Sequence, residues 1–405
     1  MFPAISRRAV MRYEGQSLDI IPRLGIDRFF LRDLVPVLEE RFAETIGVKH
    51  ALAVSSGRIS LEVILQALAI EPGKEVILPA YTYHSVPDAI RHVGLVPVFV
   101  DVDPRDNNLD PDLVQQKISD RTAAVLATHI FGHPCRLDRI AAICKKQGIL
   151  LLEDCAHCIG ARFAGQTAGT FGKAGFFSFG ATKVFNTYGG GMIVTDDDAL
   201  AKSMRKVLAT HQPPDRAGLF KTVIMFSALH FLTQPVPFSF TLFPLLYLTE
   251  VIGLDIIGLY SRIFKRTAES ISVPVAYSDL QAALALRQLE TIEAQNAIRR
   301  GNAETLLALL DPEIPRLTPH DRAESAWYFF VLGIENREQV AKALLKSGLD
   351  TGYYIMDDCA ALAGDDGDYP VTQWWREHSL QVPIHPPLRS DQMKQMAALI
   401  NRHWR

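Results

Sequence analysis

The chain has 405 residues, with 42 Lys and Arg against 45 Asp and Glu, a formal net charge of −3 and 48% hydrophobic residues. That length gives ample core for about two domains, and the near-neutral balance lacks the basic excess that marks nucleic-acid binding. Cysteines at 135, 144, 155, 158 and 359 are too sparse for a disulfide framework, and the start MFPAISRRAVMRYEG lacks the apolar run of a signal peptide, so a cytoplasmic location is expected.

Residues 1–30 show no clear pattern. Arg32 to Ile46 reads as a helix, with Leu34, Leu38 and Phe42 along one side and Gly47 as its stop. Ala51 to Val54 is a short strand. Ser55-Ser56-Gly57 then opens a helix to about Ala69, and its free N–H groups suit a dianion. Strands are expected at Val76 to Pro79, Leu95 to Asp103 and Ala123 to His129, with a helix at Asp138 to Gln147. This βαβ spacing predicts an α/β fold with a mostly parallel central sheet. His129 and His133 flank the exit turn Phe131-Gly132-His133-Pro134. With no carboxylate spaced to share a metal, they read as turn histidines near a ligand.

Leu150 to Thr195 is the stretch around which the rest is organised. The apolar run Ile149 to Leu152 ends in Glu153 and Asp154, as a buried parallel strand does when it delivers a carboxylate to its carboxyl end. His157 follows, then a strand Ala174 to Phe179 containing Ser178, then Lys183 in a loop, then the glycines 189–191 opening a strand to Thr195. An open α/β sheet keeps its ligand at such strand ends. Glu153 faces the other side of the strand from Asp154 and receives no role. Cys155 and Cys158 form C-x-x-C without the second pair a zinc site needs, so no metal is expected.

A lysine, a strand-end carboxylate, a hydroxyl and a helix N-terminus are what pyridoxal phosphate (PLP) chemistry requires. The amine bonds to the aldehyde, the carboxylate keeps the pyridine nitrogen protonated, and the hydroxyl and N–H groups hold the phosphate. The motifs D-C-A-H, F-S-F-G-A-T-K and G-G-M-I-V-T resemble the core motifs of the DegT-type (DegT/DnrJ/StrS) sugar aminotransferases, over about residues 20–210 and loosely through the C-terminal third. The resemblance implies a fold-type I PLP enzyme acting on a keto-sugar, mostly nucleotide-linked, with glutamate as amino donor. It also implies a homodimer with its site near the interface.

Carried onto this sequence, the resemblance makes Lys183 the cofactor lysine and Asp154 the pyridinium partner. It places His157 near the ring hydroxyl, Ser178 and the Gly57 turn on the phosphate, and Tyr83 stacked on the ring. Arg58 stands where relatives carry Thr, as a possible phosphate ligand. Gly189 replaces an acidic residue, and Pro274 and Ala276 replace the Asn and Arg that relatives donate to a neighbouring subunit. The implied division is a large PLP-binding domain over 1–272, with an apolar insert at about 219–266, and a linking helix with a small α/β domain over 273–405.

Lys202 to Leu208 continues a helix, after which the chain departs from that pattern. Residues 222–249 carry no formal charge and are broken by Pro235, Pro237 and Pro244. A span needs ~20 continuous apolar residues in one helix, so two short apolar helices are expected instead. Their fates are a dimer contact, a hydrophobic groove or a membrane face. Membrane or lipid contact is favoured, with Arg262, Lys265 and Arg266 following Tyr260 to meet an anionic surface.

Asp279 to Leu307 reads as one long helix. Trp327 to Gly333, Arg337 to Ser347 and Asp391 to Trp404 alternate strand and helix, His385 is structural, and residues 363–369 form an acidic loop. Two competing readings are an aminotransferase with a lipid-linked or hydrophobic acceptor and a non-catalytic PLP-fold regulator. Intact Lys183 and Asp154 argue against the regulator.

Overall fold

The computed structural model describes residues 4–6, 33–252, 274–353, 355–386 and 388–405. The basic cluster Arg262, Lys265 and Arg266 and the expected domain boundary at 272–273 lie outside the described residues.

Up to the insert, the elements are α1 (Leu34–Ile46), β1 (His50–Val54), α2 (Gly57–Leu68), β2 (Glu75–Pro79), β3 (Tyr81–Thr82), α3 (Ser85–His92), β4 (Val96–Val100), α4 (Pro111–Lys117), β5 (Thr122–Thr128), α5 (Leu137–Gln147), β6 (Leu150–Asp154), β7 (Arg162–Phe163), β8 (Gln166–Thr167), β9 (Ala174–Ser178), β10 (Gly191–Thr195) and α6 (Asp198–Leu208). The central sheet orders its seven strands β1-β10-β9-β6-β5-β2-β4. β10 runs antiparallel to β9 and β1, and the other pairings are parallel. The expected mostly parallel α/β sheet is therefore present.

The period-two pleat of β6 sorts its side chains between two cores. Leu151 packs with Ile77 and Val125 on one side, and Leu152 with Leu78, Leu126 and Ile193 on the other. That alternation sends Glu153 to the first side and Asp154 to the second.

The chain continues with α7 (Arg216–Leu232), α8 (Pro235–Phe240), α9 (Leu242–Val251), α10 (Asp279–Leu289), α11 (Ile292–Leu309), β11 (Ala323–Glu324), β12 (Phe330–Gly333), α12 (Arg337–Lys346), β13 (Asp357–Asp358), α13 (Cys359–Leu362), α14 (Pro370–His378), β14 (Ser379–Val382) and α15 (Ser390–His403). β12 and β14 pair antiparallel. With the helices around them they enclose a separate core that includes Phe330, Leu344, Leu380, Val382 and Met393. His385 is buried there, with Nε2 3.3 Å from the Ser6 carbonyl.

Three expectations are corrected. The insert forms three helices, not two. Gln234, extended at ψ 150 as residues before proline prefer, ends α7, and Thr241 separates α8 from α9. The expected long helix is α10 and α11. The Gln288 side-chain amide bonds both backbone groups of Asn186 at 2.8 Å, pinning the end of α10 to the loop that follows Lys183. The chain turns at Thr291 before α11 begins. The strand expected from Trp327 starts only at Phe330, because Trp327 adopts a left-handed φ of 49.

The insert is only partly folded into the core, with Phe238 of α8 buried. Val223 and Phe226 of α7 pack on Tyr188 and Leu284. The outward residues Phe231 and Phe240 remain 64% and 80% exposed. Among the described residues, no helix is long and apolar enough to cross a membrane.

Candidate active site

Lys183 and Asp154 meet through local sequence. β6 ends on Asp154, and the adjacent parallel strand β9 ends on Ser178, from which a short loop carries Lys183 back over the strand ends. Asp154 is buried, and its Oδ1 accepts the Ala156 N–H at 3.0 Å. Burial pushes its carboxyl up, against the pull of that N–H and of the charges of Lys183 and His129. Burial pulls Lys183 down to about 8, with the Asp154 charge opposing. His157 is buried two residues past the start of the turn after β6. Its ring is held neutral, well below the ordinary histidine range, by burial and by the Lys183 charge.

A second cluster lies beside the first. Ser56 caps α2 by accepting the Ile59 N–H at 3.2 Å, leaving the first turn's N–H groups pointing outward. A Cβ built on Gly57 would stand 3.0 Å from the Ser178 Cβ, so only glycine lets the helix end approach the strand end this closely. Arg58 occupies the same helical turn and is half-buried. Ser55 Oγ is buried there without a partner among the described residues. Gly180 joins the two clusters. A Cβ placed on it would lie 3.8 Å from both Ser178 Oγ and Lys183 Cγ.

The chain belongs to the DegT/DnrJ/EryC1/StrS aminotransferase family, which matches residues 29–221 and 254–401. The family match breaks off at the apolar helices of the insert. The erythromycin biosynthesis sensory transduction protein EryC1 of Saccharopolyspora erythraea is 31% identical over 86% of this chain and 84% of its own length. GDP-perosamine synthase of Caulobacter vibrioides is 28% identical over 90% of this chain and 88% of its own. In structure the chain resembles DesV of S. venezuelae with a TM-score of 0.76 at 24% identity, covering 99% of this chain and 98% of that one. This family member is a PLP-dependent aminotransferase with the family's α/β fold.

The residues present fit that cofactor. Among the described residues the buried Asp154 carboxylate has no ion pair, and it would be relieved by a cationic ring nitrogen. The α2 N-terminus with Ser178, Gly57 and the unpartnered Ser55 hydroxyl forms a cradle for a dianion, and Lys183 stands between these two ends. Tyr83 follows β3 and packs between two cores, its ring 4.3 Å from that of His84. The structure gathers Lys183, Asp154 and His157 into one electrostatic group and sets Gly57 against Ser178.

His129 and Glu153 correct an expectation. His129 has a carboxylate partner, because its Nε2 lies 3.3 Å from Glu153 Oε2 with both side chains buried. The donor atoms of His129, Cys155 and Cys158 lie within 4.8 Å of one another. His129 Nδ1, however, lies 3.1 Å from the Cys135 N–H and Nε2 faces Glu153, so both ring nitrogens already have protein partners. Glu153 also accepts the Gly169, Phe171 and Gly172 N–H groups at 2.7, 2.7 and 2.8 Å, which makes it a structural anchor of the turn before β9.

Sequence reading missed Tyr328, which stacks on His157 with ring centroids 4.4 Å apart and stands 5.4 Å from Lys183 Nζ. In the run A-W-Y-F-F it carries no signal distinguishing it from a core aromatic.

Proposed function

We propose that this aminotransferase moves an amino group from glutamate to the ketone of a nucleotide-linked sugar, working as a homodimer. The observation that carries the reading is the placing of Lys183 beside Asp154 and His157, one glycine away from the Gly57–Ser178 cradle. The similarity to GDP-perosamine synthase supports the acceptor class.

PLP held here supplies an electron sink and a carrier for the amino group. Asp154 holds the ring nitrogen in its cationic form, its own ionised state favoured by that charge. Ser178 Oγ and the N–H groups at Gly57 and Arg58 would hold the cofactor's phosphate, and Tyr83 would pack against its ring. Lys183 Nζ would accept the proton leaving the donor's α-carbon and, as an ammonium, give up a proton again later in the transfer. A lysine brought down to about 8 suits this work, since a base near the working pH both accepts and releases a proton. Neutral His157 orients the ring hydroxyl without adding charge.

The test adds L-glutamate to the PLP-loaded enzyme, and then nucleotide-linked keto-sugars. Loss of the visible absorption band with release of 2-oxoglutarate, followed by its return with an aminated sugar nucleotide, is the expected result. A band unmoved by glutamate and by other amino acids would sink the reading.

The insert favours a second reading, in which the enzyme works against a membrane on a lipid-linked or hydrophobic acceptor. The supporting observation is the outward face of α7 to α9, where Phe220, Ile224, Phe231, Phe240 and Leu248 are all exposed. Each such side chain gains about 1.5–3 kcal/mol on full burial, so this face has a standing drive toward a dry partner. Co-sedimentation with anionic liposomes supports this reading, and a dimer broken by Leu245→Asp with no liposome binding rejects it.

A further inference from the structure

Tyr328 lies in the segment between β11 and β12, far in sequence from the cofactor motifs, yet it is 2% exposed and faces two of their residues. Its ring stacks on His157 at 4.4 Å and 25°. The Lys183 ammonium sits over the same ring, 5.4 Å from its centroid. Its hydroxyl donates to the Thr182 carbonyl at 3.0 Å, one residue before the lysine. We infer that Tyr328 is a positioning residue for Lys183 and His157, its ring holding the two side chains and its hydroxyl tying down the backbone of the lysine loop.

The backbone around Tyr328 is built to place it. Its N–H donates to the Phe131 carbonyl at 2.8 Å, and the Ala326 N–H and Ser325 Oγ donate to the Gly132 carbonyl at 3.0 and 2.8 Å. Gly132 has φ +90, and a Cβ there would stand 2.8 Å from Trp327 N and 3.0 Å from Tyr328 N. Trp327 holds a left-handed φ of 49, a strained conformation for a bulky side chain that these bonds must sustain. The exit turn of β5 thus grips the segment carrying Tyr328 and sets the ring against the site.

An aromatic ring suits this place chemically. Its face attracts an ammonium, but it cannot take the proton as a carboxylate could. Lys183 can rest there charged without losing its proton to the ring, and serves as a base once that proton has passed to solvent. Stacking also fixes the plane of the neutral His157 ring without consuming either ring nitrogen.

This inference rests on Lys183 being the cofactor lysine, and borohydride reduction with peptide mapping tests that separately. A pyridoxyl label on another lysine overturns the underlying reading whatever Tyr328 does. With Lys183 labelled, Tyr328→Phe and Tyr328→Leu are compared in the PLP-loaded enzyme for kcat, donor KM, melting temperature and the pH midpoint of the visible absorption band. Tyr328→Phe keeps the ring and loses one hydrogen bond, so kcat falls about 5-fold with the midpoint unchanged. Tyr328→Leu loses the ring as well. Its kcat falls about 30-fold or more at a donor KM within about twofold of wild type, and the midpoint moves. If Tyr328→Leu does not fold, Tyr328→Met fills the space without a ring face and is read the same way. A ring-free variant with wild-type kcat and midpoint, or one whose only change is a lower melting temperature, overturns the inference.

Discussion

Glu153 and His129 are paired in the core at 3.3 Å, Oε2 to Nε2, and both are fully buried. The carboxylate also takes three backbone N–H groups from the turn before β9. Glu153 and Asp154, adjacent in sequence, therefore do unrelated work on opposite faces of β6. Glu153→Gln replaces one acceptor oxygen by an NH2 group, and either amide orientation aims that group at an N–H donor. A loss of about 3 kcal/mol in denaturant unfolding is expected, with Lys183 still labelled by cofactor. A loss below about 1 kcal/mol would show that the cluster is not held together by this charge.

Asp154→Asn keeps the side-chain shape and removes the charge that favours a protonated ring nitrogen. The variant should still bind PLP, by its absorption spectrum, and turn over roughly 100-fold slower or worse, since the electron sink is what the carboxylate sustains. Turnover within about threefold of wild type would refute the assignment.

Lys183 is set by burial to about 8, below the ordinary 10.5. The free amine is the form that attacks the aldehyde. The rate at which PLP loads onto the cofactor-free enzyme should rise about tenfold per pH unit below pH 8 and level off above it, whereas an unshifted lysine would keep rising to about 10.5. The stability sign follows from the same shift. Between about pH 8 and 10.5 the unfolded chain binds more protons at this site than the folded one, so the cofactor-free fold gains stability as pH rises through that window. Lys183→Met should remove both effects, as measured by stopped-flow absorbance and by melting temperature against pH.

Gly57→Ala puts a methyl group 3.0 Å from the Ser178 Cβ, where the helix end meets the strand end. The cradle must open to admit it, and the PLP dissociation constant should rise by roughly 10-fold, about 1.4 kcal/mol. Gly301→Ala is the control. Nothing lies within 4 Å of its added Cβ, and it sits within α11, where alanine favours the helix by about 1 kcal/mol. Equal PLP affinity in both variants would show that Gly57 does not shape the site.

Sequence alone determined the parallel core of the sheet, the strand-end positions of Asp154 and Ser178, and the place of Lys183 in the loop that follows. These depend on local rules, namely apolar runs broken by glycine, the period-two pleat and a helix opened by Ser-Ser-Gly. Tertiary structure decided what depends on contacts between distant residues. It paired His129 with Glu153, and it split the expected long helix where Gln288 grips Asn186, 102 residues away. It brought Tyr328 onto Lys183 through the turn at Gly132. It also left the apolar insert facing outward on α7 to α9. The uncharged run could show that these helices needed a dry neighbour, but which face the rest of the chain would cover depends on packing against Tyr188 and Leu284. No local periodicity encodes that packing, because helices apolar on every side carry no preferred face.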